Sequence, residues 1–257
     1  MLFPGKLPQR VALKSSRVGA HPILTQYGEP PSLRAMRIWA ASILVFLSGF
    51  AIMVLEIIGA RFLAKDFGSS FYVWVSQIGI ILAALALGYS VGGWLGDRYP
   101  RAALLSWMLA PAGVITGLIP DFAPGLINAI ILRHPADENV PALWQKLDPA
   151  LGSLLIFLLP CFVLATLPPF IIRLSSKTLS HVGRISGLIY AASTVGSIAG
   201  VFVSGYVLID YMSLTSIFRA TGALTVLLGV ICFLLDGRIA ESANRYDMRK
   251  ARSRPEK

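Results

Sequence analysis

The chain has 257 residues, 55% of them hydrophobic and only 14% charged, with mean hydropathy +0.69 and a formal net charge of +10. Soluble domains carry about 25% charged residues, so long apolar runs with this little charge exclude a water-soluble globular protein and predict a polytopic membrane protein. The positive excess lies in tails and loops, where it reports topology rather than nucleic-acid binding, and the expected partner is the lipid bilayer.

Residues 1–37 contain Pro4, Pro8, Pro22, Pro30 and Pro31 and show no helical period, so they read as a disordered basic tail. The first span is 38–63 and carries Glu56 and Arg61 in its outer third. A short turn at Lys65–Ser70 sends the second span, 71–95, back in the opposite direction, and it ends at Asp97-Arg98. Gly79, Ala83, Gly88, Gly92, Gly93 and Gly96 give this span a small-residue stripe on which another helix backbone can lie close.

The third span is 102–119, with a kink expected at Pro111 and a stop at Pro120. Beyond it, Phe122, Leu126, Ile127, Ile130 and Ile131 fall at helical spacing and predict an amphipathic helix, 122–132, lying on the outer interface. The fourth span is 151–172, broken at Pro160 and at Pro168-Pro169, and a basic loop with Arg173, Lys177 and Arg184 follows. The fifth, 185–209, has a second stripe at Gly187, Ala191, Ala192, Gly196, Ala199, Gly200, Ser204 and Gly205. The sixth is 214–235, and 236–257 form a second basic tail. The expected fold is therefore all-α and polytopic, a six-helix transmembrane domain over 38–235 in the cell's inner membrane. The basic pieces place both termini in the cytoplasm.

The second and fifth spans are alike. Each is the small-residue-rich middle member of three, each ends in an acid, Asp97 or Asp210, and each follows a span ending near a base, Arg61 or Arg173. Three spans per unit would make the two units an inverted 3+3 repeat, the architecture of many transporters. The alternative is the ordinary abundance of Gly and Ala in membrane bundles.

Ionisable residues within spans are costly and either pair or line a cavity. Glu56, Arg61, Asp210 and Arg219 are the candidate substrate-binding set, with Glu56 deepest and suited to a cationic ligand. Cross-helix pairs Glu56–Arg219 and Arg61–Asp210 are expected, either as a site or as a structural network. Cys161 and Cys232 sit in apolar runs and read as packing residues. No metal set or cofactor motif is visible, and His21, His134 and His181 stand apart in tails or loops.

Two resemblances add to this. Gly93-Trp94-Leu95-Gly96-Asp97-Arg98-Tyr99-Pro100-Arg101 resembles the loop between the second and third helices of major facilitator transporters, with Pro100 where that pattern has its second glycine. The resemblance implies a cytoplasmic gate loop formed by Gly93, Asp97, Arg98 and Arg101; the plain alternative is a basic turn. Leu47–Glu56 with Arg61–Ala64, Phe67–Ser70 and Leu188–Ser197 together resemble the membrane portion of bacterial fused facilitator/spermidine synthase-like proteins, over about residues 38–235. That family usually continues into a soluble synthase-like domain, which is not found in this sequence, so the chain is not expected to be an enzyme. The resemblance implies transport of polyamines or similar cations, or a non-transporting anchor for a separate soluble synthase-like partner. A homodimer is a further expectation, since six spans are few for a transporter.

Overall fold

The computed structural model describes residues 31–68, 71–99, 101–134, 140–175 and 182–252, with side chains at 38–68, 71–99, 101–134, 140–175 and 183–236. In chain order the elements are α1 (Pro31–Phe67), α2 (Phe71–Arg98), α3 (Ala102–Ile131), α4 (Ala142–Ala165), α5 (Leu167–Ser175), α6 (Val182–Val203), a π-helical turn (Ser204–Leu208), α7 (Ile209–Tyr211) and α8 (Leu214–Arg252). Among the described residues there is no strand. Six helical stretches are long and apolar enough to cross a membrane: 38–67, 71–98, 102–131, 142–175, 183–211 and 214–236. They alternate in direction, so Pro31 and Asp236 share one end of the bundle, the terminal end; the other is the distal end.

The first and fourth spans are central, 61% and 67% buried, while the second and fifth are only 28% and 17% buried. Those two spans pack through one narrow stripe each. On α2 the stripe is Val73, Gln77, Ile81, Ala84, Gly88, Gly92 and Gly96; on the fifth span it is Ile185, Ile189, Gly196, Gly200 and Ser204. Spacings of three and four keep such residues on one helix face. A Cβ at Gly92 would collide with the Thr166 carbonyl, and one at Gly196 with the Phe46 carbonyl. Missing side chains thus let α2 lie on α4–α5, and α6 on α1, each in parallel. Lipid tails are as apolar as Leu, so close backbone packing rather than water exclusion holds such pairs together. Phe62, Phe157 and Phe218 meet between α1, α4 and α8, with Phe62 edge-on to Phe218 at 5.4 Å.

The packing has an internal symmetry. The helix pairs with more than marginal contact are first–fifth, second–fourth, first–fourth, third–sixth, third–fourth, first–sixth, first–second and fourth–fifth. Exchanging first with fourth, second with fifth and third with sixth maps this set onto itself. The exchanged spans run in opposite directions. Gly113 on α3 and Gly222 on α8 face each other where the self-related pair crosses, and a Cβ on either would press on the other's carbonyl. This is the packing that two inverted three-span units require.

Several boundaries differ from those read in the sequence. Helix α1 already begins at Pro31, so 31–37 are helical rather than part of an irregular tail; proline suits a first helical position. Residues 1–30 lie outside the described residues. Helix α3 does not stop at Pro120. It runs unbroken to Ile131 through Pro111, Pro120 and Pro124, and no separate interfacial helix forms over 122–132. Its buried stripe, Ala112, Thr116, Ile119, Ala123, Ile127 and Ile130, continues past Pro120 and Pro124, and this packing outweighs the lost helical bonds. The fourth span breaks at Thr166 and not at Pro160, directly before Leu167-Pro168-Pro169. Gly68, at φ +79°, ends α1 in the left-handed conformation that glycine adopts without strain. Helix α8 continues past the last span to Arg252.

Candidate functional site

Glu56 follows Gly49 and Met53 on the face of α1 that meets α6. Gly49 abuts the Ser193 carbonyl and the Ser197 hydroxyl, and Met53 lies beside Gly200. The carboxylate is partly buried. It lies on the face of α1 that carries the fifth span, well inside the apolar length of α1. An ionised group there is costly unless a cation or a polar partner accompanies it.

The other three members of the expected set do not gather around it. Arg61, Asp210 and Arg219 are exposed near the distal end. Arg219 reaches Asp121 of α3 at 3.5 Å and not Glu56, because α8 packs along α3 and presents this part of its surface to it. Arg61 and Asp210 do not form an ion pair with each other.

At the terminal end, Asp97 forms an ion pair with Arg173 of α5, 2.5 Å apart, on side chains 62% and 58% exposed. Gly96 makes this possible: its missing side chain leaves room for the Arg173 Cβ. Gly93, by contrast, touches nothing, so the close-packed residues of this loop region are Gly92 and Gly96. Arg98 and Arg101 are exposed. The Asp236 carboxylate accepts the Ala102 backbone N–H at 2.8 Å, joining the end of the sixth span to the N-terminus of α3, where a negative charge also meets the helix dipole. Asp97 thus bridges the second and fourth spans, and Asp236 bridges the sixth and third.

A cluster at the distal end has no counterpart in the sequence reading. Asp148 is 5% exposed, and its carboxylate takes hydrogen bonds from Arg133 and, at 2.8 Å, from His134. The Arg133 guanidinium lies over Trp144, 4.2 Å from the ring centre. The end of α3 is thereby fastened to the start of α4. His134 reads as isolated because its partner is fourteen positions away across the 135–139 segment; only the return of α4 brings Asp148 beside it. His21 and His181 lie outside the described residues. Among those described, no group of three or more His, Cys, Asp or Glu could hold a metal ion.

The remaining buried polar groups are mostly structural. The Ser153 hydroxyl donates to Gln77 Oε1 at 2.7 Å, and the Gln77 amide donates to the Leu55 carbonyl at 3.4 Å, tying α1, α2 and α4 together. Ser48 donates to the Leu164 carbonyl at 2.8 Å. Two described hydroxyls, those of Ser42 on α1 and Ser204, are buried without a hydrogen-bond partner; Ser204 is fully buried and opens the π-helical turn. Tyr89, Thr194 and Tyr206 are exposed and do not line the interior.

Comparison of the chain with protein-family profiles, with curated proteins and with solved structures finds no match.

Proposed function

We propose that this protein carries polyamines or similar small organic cations across the cell's inner membrane, with both termini in the cytoplasm. One observation carries the reading: a carboxylate, Glu56, is held inside the apolar length of a central span of a bundle whose six helices pack as two inverted units. Inverted units place a binding site near the bilayer midplane at their interface. The acid suits a cation, and the resemblance of the first, second and fifth spans to the membrane portion of synthase-like fusions suggests a polyamine. The basic residues at the terminal end support the orientation.

Uptake of a labelled polyamine by proteoliposomes tests the proposal. Glu56→Gln keeps size and hydrogen-bonding capacity while removing the charge, and uptake falls about tenfold or more with the folded protein retained. Wild-type liposomes that take up no cation above empty controls would end the transport reading.

The course of α8 favours a second reading. It projects past the last span to Arg252 and provides a helix outside the membrane on which a separate soluble synthase-like protein could dock. An anchor of this kind predicts a stable complex lost on truncation after Asp236, together with no flux.

A further inference from the structure

The inverted packing assigns an equivalent to each contact at the bundle ends. Asp97 closes the second span and Arg173 the fourth. Their equivalents are Asp210, closing the fifth span, and Arg61, near the end of the first. Arg61 and Arg173 are related by the same sequence offset as Asp97 and Asp210, to within one residue. The π-helical turn at Ser204–Leu208 lies just before Asp210 and accounts for that residue, since a π turn accommodates one extra residue in a helix. The third and sixth spans show the same exchange: Asp236 of the sixth binds the start of the third, and Asp121 of the third binds Arg219 near the start of the sixth.

The two equivalent pairs are nevertheless in different states. Asp97 and Arg173 are paired at 2.5 Å; Arg61 and Asp210 are not paired with each other. The helices around them differ in the same sense. The buried stripe of α2 reaches Gly96, adjacent to Asp97, and Gly92 and Gly96 both lie against the fourth span. On the fifth span the fully buried stripe ends at Ser204, and Leu208, the next position on that face, is only partly buried against the core. An apolar pocket lined by Phe50, Leu208, Met212, Ile217 and Leu224 occupies the gap beside the fifth span's distal end.

We infer that Arg61 and Asp210 form the distal counterpart of the Asp97–Arg173 pair, and that they close on each other when the terminal pair opens. The structure is then the state closed at the terminal end and open at the distal end. The π-helical turn is where the last part of the fifth span swings. The inference rests on the transport reading only for the purpose of the movement, not for its existence.

The test uses the full chain in liposomes, with Cys161 and Cys232 replaced by alanine and spin labels on Lys65→Cys and Tyr211→Cys, both exposed and flanking the proposed pair. Breaking the terminal pair with Asp97→Asn raises the ratio of short to long label distances about two- to fivefold, the range an exposed ion pair can supply. Arg173→Gln gives the same shift, which separates the effect from a folding defect of one variant. Adding Asp210→Asn to either abolishes the gain. Distances unchanged by both terminal variants overturn the inference, as does a shift that Asp210→Asn leaves intact. Cation uptake by the same liposomes reports separately on transport, because the label distances are measured without substrate.

Discussion

The hydroxyl of Ser48 on α1 donates to the carbonyl oxygen of Leu164 on α4, 2.8 Å away. Pro168 has no N–H, so that carbonyl has lost its donor one helical turn on. In lipid no water replaces it, and a side chain from the neighbouring central helix does so instead. The break between α4 and α5 and the contact between the two central spans are thus one feature.

Ser48→Ala is expected to lower stability by about 0.6–1.7 kcal/mol, the range of single interhelical hydrogen bonds in membrane proteins. The loss should shrink in a Pro168→Ala background, where the backbone donor is restored. Thermal unfolding in detergent of the four members of this cycle checks it; equal losses in both backgrounds would show that the hydroxyl acts by packing alone.

The glycine seams make a sharper division. Gly92→Ala and Gly196→Ala place a methyl group against the backbone carbonyls of Thr166 and Phe46. The helix pairs must separate, at a cost of about 1–3 kcal/mol each. Gly79→Ala and Gly93→Ala meet nothing and, as alanines inside a helix, gain up to about 1 kcal/mol. Melting temperatures of the four variants should fall into two groups, and a destabilised Gly93→Ala would contradict the assignment of the packed face.

This division shows what a linear reading can reach. The number of spans follows from apolar length, which depends on lipid as solvent and needs no partner. Gly92 and Gly93 look alike in sequence; only the position of Thr166 on another helix separates the packed one from the idle one. Pro120 reads as a stop because its local cost is visible, whereas the packing of Ile119, Ala123, Ile127 and Ile130 that outweighs it is not. Arg219 is legible as a base needing an acid, but its choice of Asp121 is made by the third–sixth helix pairing. The recurrence of an acid at Asp97 and Asp210 and of a base at Arg61 and Arg173 is legible as a repeat. Which acid meets which base is not, because Asp97 reaches Arg173 only through the packing of the second span on the fourth.

The distal cluster should be costlier to break than the exposed Asp121–Arg219 pair. Asp148 is 5% exposed and serves Arg133 and His134 at once. Asp148→Asn removes the charge between two donors and turns one acceptor atom into a further donor, costing about 1–3 kcal/mol. Asp121→Asn acts on a pair at 3.5 Å whose side chains are 52% and 62% exposed, and costs less than about 1 kcal/mol. Raising the salt concentration should reduce the Asp121→Asn effect further and leave that of Asp148→Asn nearly unchanged, since buried pairs are screened less. Comparable losses with comparable salt dependence would place Asp148 in a wetter setting than the structure does.

Gln77 offers the most direct test of whether a buried polar group serves structure or passage. Its two ends are satisfied within the bundle, by Ser153 and by the Leu55 carbonyl, and Gly59 provides the space for its amide. Ser153→Ala leaves the Gln77 carbonyl oxygen buried without a donor, which costs about 1–3 kcal/mol. Gln77→Met keeps the length of the side chain without its polar atoms. The double variant should be more stable than Ser153→Ala alone, because removing both partners leaves nothing unsatisfied on the side chains. Its cation uptake should remain within about twofold of the parent, since neither residue is asked to meet a substrate. Lost uptake with retained stability would instead put Gln77 on the path beside Glu56, and the junction of α1, α2 and α4 would then be part of the site.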